Sequence, residues 1–177
     1  MDYTTLSSSC QIVTGIQYPF GCAVNSKGNI YVGGDSHQVK VLDSKGNHIF
    51  AFGSKGSGDG QFNYPRYVAV DSQDRVIVSE YSNHRVQVFD ASGKFLFKFG
   101  TSGSGDGQFN CPLGVAINSK QEIIVCDQSN HRVQVFDSNG KFMWKMGSSG
   151  TNDGCFQNPY AVTVDTLDSI CLCVFFF

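Results

Sequence analysis

Ser82-Asn83-His84-Arg85-Val86-Gln87-Val88-Phe89-Asp90 returns unchanged as Ser129-Asn130-His131-Arg132-Val133-Gln134-Val135-Phe136-Asp137. Working outward, residues 64–110 overlay residues 111–157 without a gap, and 25 of 47 positions are identical. Four prolines, Pro19, Pro65, Pro112 and Pro159, mark the same period at separations of 46, 47 and 47. An earlier copy covers residues 18–63 and is one residue shorter near Ser36-His37; a last, partial copy covers residues 158–177. Self-similarity at such a period is the signature of a repeat architecture.

Each copy reads as four strands. In the second copy, residues 67–70 are short and β-branched, and Asp71-Ser72-Gln73-Asp74 is a turn. Residues 75–79 alternate around Val76 and Val78, and a polar loop is expected over residues 80–83. Residues 84–89 set Val86 and Val88 against Arg85 and Gln87, a period of two. Asp90-Ala91-Ser92-Gly93 is a hairpin turn with glycine where positive φ is needed, and residues 94–99 alternate Phe95, Phe97 and Phe99 with Leu96 and Lys98. No segment of useful length has helical periodicity. The expected fold is all-β: a β-propeller of four-stranded antiparallel blades, three complete and a fourth incomplete. Where the innermost strands converge, small residues are needed; Gly21, Gly114 and Ala161 supply them two places after the proline, and Tyr67 is the exception.

Composition narrows the function. Thirteen basic against fifteen acidic residues give a net charge of -2, with no overall bias toward nucleic acid or membrane. The seven cysteines are odd in number and contain no Cys-x-x-Cys, the pattern of reduced intracellular thiols; a cytoplasmic location follows as the expectation. The N-terminus has no apolar signal core, and the apolar run at residues 170–177 is too short to span a bilayer as a helix, so no membrane partner is expected.

The sequence here resembles the NHL-repeat propellers. The resemblance rests on Asn83–Asp90 and its copy at Asn130–Asp137, on Gly58-Asp59-Gly60-Gln61-Phe62 and its copy at 105–109, and on the Pro-x-x-Val-Ala-Val starts. It covers roughly residues 18–174. The first copy departs from it, with His37 but no asparagine, and the fourth departs after Val164. Within that family the wording is most similar to the tripartite-motif proteins, in which RING, B-box and coiled-coil segments precede the propeller. The resemblance implies a six-bladed ring and a propeller that recognises substrate proteins or RNA, while the RING acts as a ubiquitin ligase.

The residues themselves suggest binding rather than catalysis. There is no nucleophile elbow and no carboxylate pair at a recognisable spacing, and the inner strands present Val, Ala, Cys and Ile. The glycine-rich stretch 53–60 lacks the Gly-Lys-Ser/Thr of a phosphate loop and reads as a connector between blades. Asn83, His84, Arg85, Asn130, His131 and Arg132 read as structural members of a local hydrogen-bond network near Glu80 or Asp127. Four histidines are too few for a metal ligand set, so neither a metal nor a cofactor is expected. A metal-dependent lyase or hydrolase is the least favoured reading.

Strand order places the connectors entering each first strand on the same rim as the loops between strands two and three. That rim should display Phe20, Arg66, Leu113 and Tyr160, each directly after a proline, with Tyr67, Tyr81 and Gln128. Aromatics with an arginine can form a protein-binding hot spot or a stacking platform for single-stranded RNA. Only Arg66 is a clear base there, which favours a protein partner. The length is short of four periods. A piece of a longer propeller is the simplest account. Closure into four blades by a strand at residues 10–14 of the lead-in 1–17, or self-association through unfilled blade edges, are the alternatives.

Overall fold

The computed structural model describes residues 18–174. The first sheet is β1 (Pro19–Val24), β2 (Ile30–Gly34), β3 (Val39–Leu42) and β4 (His48–Phe52). The second is β5 (Pro65–Val70), β6 (Val76–Glu80), β7 (Arg85–Phe89) and β8 (Phe95–Phe99). The third is β9 (Pro112–Ile117), β10 (Ile123–Asp127), β11 (Arg132–Phe136) and β12 (Phe142–Met146), followed by a two-stranded sheet of β13 (Pro159–Val164) and β14 (Ile170–Val174). Within each sheet the strands lie in chain order and pair antiparallel. The described residues therefore form three full blades and two strands of a fourth, in step with the period. The closing strand expected at residues 10–14 and the three terminal phenylalanines lie outside the described residues.

Strand boundaries differ by one or two residues from the sequence reading. The second copy's first strand starts at Pro65, and its second runs one residue further, to include Glu80. Glu80 is fully buried and in register with Arg85, so the polar loop begins only at Tyr81. An acidic residue reads as loop until its buried cationic partner is known.

Blades stack through phenylalanine. In the first junction Phe62, from the connector, is wholly buried between Phe52 of β4 and Phe89 of β7, with ring centroids 6.1 Å and 5.3 Å away. The second junction repeats this with Phe109 between Phe99 and Phe136, at 6.3 Å and 5.4 Å. The front of each sheet meets the rear of the next: Tyr31, Val39 and Val41 face Val68, Val76 and Val78, and one blade later Ile77, Val86 and Val88 face Val115, Ile123 and Val125. Both faces of the middle strands are consequently covered, and with the apolar side chains they bury polar ones such as Ser79, Glu80, Arg85 and Gln87.

Near the axis β1, β5, β9 and β13 line one cavity of about 440 Å³. Backbones approach closely there. A Cβ on Gly114 would stand 2.7 Å from the Ala161 Cα, and one on Gly21 would stand 2.8 Å from the Tyr67 Cα. On the opposite face, turns are latched from blade to blade. The Ser26 amide and hydroxyl donate to Asp74, those of Ser72 to Gln121, and those of Ser119 to Asp168. The serine hydroxyls hold the Asp74 and Asp168 carboxyls below the usual carboxylate range. No helix among the described residues is long and apolar enough to cross a membrane.

Candidate functional site

The repeated motif builds the rim from beneath. The Arg85 guanidinium lies beside the Glu80 carboxylate and donates to the backbone carbonyls of Ser57, Gly58 and Gln61 in the connector entering its own blade. Asn83 donates to the Gly56 carbonyl and to Glu80, and Gln87 to the Gln61 carbonyl and Glu80. Arg132, Asn130, Gln134 and Asp127 repeat the set around the next connector, with Arg132 Nε 2.7 Å from Asp127 Oδ2. The histidines grip from behind. Nδ1 of His37, His84 and His131 accepts the amide of Tyr64, Cys111 and Asn158, at 3.4, 3.0 and 3.2 Å. Those three donor residues share a left-handed backbone, with φ of 55°, 56° and 49°, immediately before each blade's proline. The motif thus fixes each connector from the blade behind and the blade ahead.

On this base sits an aromatic cluster. The Arg66 guanidinium carbon lies 3.8 Å from the Phe20 ring centroid, 5.2 Å from Tyr64 and 5.7 Å from Tyr81. Its Nη1 is 2.6 Å from Asp35 Oδ1. The pair is close but not aligned as a hydrogen bond, and among the described residues neither buried atom has a hydrogen-bond partner. The His37 ring packs on Tyr64 at 5.0 Å. A hydrogen bond with the Cys111 side chain raises the Tyr81 hydroxyl above its ordinary value; burial adds to this and Arg66 opposes it.

Of the expected rim residues, Phe20, Arg66 and Tyr81 come together here. Tyr67 and Tyr160 form a separate pair nearer the axis, edge to face at 6.0 Å. Burial, with Tyr160 and the Cys126 and Cys173 thiols nearby, pushes the Tyr67 hydroxyl up to about 12. Leu113 is a correction: it is buried, and its carbonyl accepts a hydrogen bond from the Ser79 hydroxyl. A leucine after the proline leaves solvent because nothing polar holds it at the surface. Gln128 opens a short 3-10 turn, where its side chain accepts from the Ser129 hydroxyl. Sequence reasoning missed Asp35 and Tyr64. Asp35 lies in the loop between strands two and three of the shortened copy, and Tyr64 precedes Pro65; the strand-order argument places both on this rim.

The described cysteines are free thiols, and burial pushes that of Cys126 up to about 12. Among the described residues no group of three or more His, Cys, Asp or Glu could hold a metal ion.

Comparison with known proteins agrees with this architecture. Residues 62–89 and 109–136 each match the NHL repeat. A segment of 67 residues is 40% identical to Protein brain tumor of Drosophila melanogaster, covering 36% of this chain and 6% of that protein. Among solved structures, a catalytically inactive virginiamycin B lyase from Staphylococcus aureus with quinupristin superposes with a TM-score of 0.68 at 13% identity, over 92% of this chain and 51% of that one. A chain of a nidogen/laminin complex gives 0.65 at 14% identity, over 92% and 58%. The chain thus spans about half the length of these solved chains. At such identities the likeness concerns the fold. The matched segments coincide with the residues that clamp the two connectors, and the chain is an all-β protein of propeller-type blades carrying NHL repeats.

Proposed function

We propose that the chain is a non-catalytic recognition module that binds a protein partner through the rim formed by Phe20, Tyr64, Arg66 and Tyr81, with Tyr67 and Tyr160 toward the axis. In the tripartite-motif proteins it resembles, such a propeller selects the substrate for an attached ubiquitin ligase, and that is the role proposed here. The observation that carries the reading is the pairing of Arg66 with Asp35 against the Phe20 ring. An arginine already neutralised and stacked contributes a flat, rigid, mostly aromatic surface, the composition of a protein hot spot. It offers little uncompensated charge to a phosphate backbone, which disfavours the RNA reading.

The test uses the chain as bait and compares captured proteins with those held by a variant carrying Arg66→Ala and Tyr160→Ala. Loss of specific partners is expected, on the order of tenfold or more in affinity for a hot-spot arginine. Unchanged capture would count against the rim. Single-stranded RNA titrated at two salt concentrations decides the alternative: tight binding with a steep salt dependence would replace the protein reading with the nucleic-acid one.

A further inference from the structure

We propose that the partner segment received by this rim is rich in proline and docks as an extended polyproline II helix. The inference rests on the recognition surface proposed above and names what that surface takes. The rim is aromatic and its central charge is already met. Phe20, Tyr64 and Tyr81 surround the Arg66 guanidinium, and Asp35 stands 2.6 Å from it. Tyr67 and Tyr160 add a second pair of rings. Tyr64 is 37% exposed, and the other four rings are half-buried. Arg66 and Tyr67 are consecutive residues within the register shift of β5, so the two groups of rings are rooted side by side.

Hydrogen-bonding capacity narrows the ligand further, because carbonyls around the rim are engaged by the protein itself. Those of Asn63 and Tyr64 accept the amides of Ser82 and Tyr81, and that of Asn110 accepts the amide of Ser129. The Leu113 carbonyl accepts the Ser79 hydroxyl. In the connector, the carbonyls of Gly56, Ser57, Gly58 and Gln61 accept from Asn83, Arg85 and Gln87. The rings contribute donors instead, through the phenol hydroxyls of Tyr64 and Tyr67. Burial holds the Tyr67 hydroxyl up at about 12, so it keeps its hydrogen. An ordinary extended peptide would bring an N–H at every residue to carbonyls that are taken. A prolyl residue brings a carbonyl and no N–H. Polyproline II makes no internal hydrogen bonds, so those carbonyls are open to donors. Its rings pack on aromatic faces, and its preset backbone loses little freedom on docking. A phosphodiester strand is acceptor-rich too, but its charge would find Arg66 already paired.

Decaproline, capped at both ends and carrying a fluorophore, is the probe, titrated into the full chain and followed by anisotropy. Saturable binding is expected below millimolar peptide, unchanged between low and high salt, with no binding of a Gly-Ser peptide of equal length. Tyr64→Phe combined with Tyr67→Phe keeps the rings and removes the donors. It should weaken binding about fivefold or more while leaving the circular dichroism unaltered. Absence of saturation up to millimolar decaproline, equal binding of the Gly-Ser peptide, or undiminished binding by the double variant would overturn the proposal. If decaproline fails while protein capture still depends on Arg66 and Tyr160, only this inference falls. If capture ignores both residues, the recognition reading falls with it.

Discussion

Arg85 and Arg132 are where the chemistry of single residues is most exposed to test. Each arginine is almost buried against a carboxylate that is wholly so, and its remaining donors go to backbone carbonyls of a connector. Removing one partner leaves a buried charge unpaired, a loss of about 3–5 kcal/mol. Glu80→Ala should therefore lower the urea unfolding free energy by that order. Arg85→Lys should also be costly, because an ammonium cannot reproduce the planar fork. A loss under 1 kcal/mol for Glu80→Ala would show that the pair is dispensable. These residues stand out in the sequence by their recurrence, but the connector carbonyls they bind do not, because those bonds exist only once the blade has folded. The cluster around Arg66 was legible only in part. Its phenylalanine and tyrosines follow from proline spacing and strand order, but Asp35 has Tyr81 and Gln128 at the matching rim loops of later copies. No repeat reveals an interaction made once.

At the level of the strand, the hub shows how little freedom the inner positions have. A methyl group on Gly114 would meet backbone atoms of β13, 2.7 Å from both the Ala161 Cα and the Val162 nitrogen. Backbone cannot rotate aside as a side chain does, so the two strands must part. Gly114→Ala should cost on the order of 1–3 kcal/mol, typical of overpacking, and thermal melting measures it. A neutral result would mean β9 and β13 are less closely apposed than this. The strands themselves were legible because their alternation is strict and turn residues bracket them. The ends at Pro65 and Glu80 were not, since pairing rather than composition decides where a ladder stops.

Across the molecule, order should follow the number of covered faces. Every residue of β6, β7, β10 and β11 is buried, while β1 and β14 have exposed positions. In a stacked array each unit draws stability from its neighbours. Amide exchange should accordingly be slowest in those four central strands and fastest in β1 and β14. Uniform protection across the fourteen described strands would contradict nearest-neighbour stacking. Fold class and blade count were readable at this scale because duplication writes them into the period.

The double grip on each connector bears on how such a surface can change. A connector bonded to the blade behind and the blade ahead cannot lengthen without breaking both sets of bonds. Yet the position after each blade's proline holds Phe20, Arg66, Leu113 and Tyr160, four unrelated side chains on one chassis. In the recognition module proposed above, specificity would be written by substitution at fixed addresses, much as a type case prints different words from slots of one size.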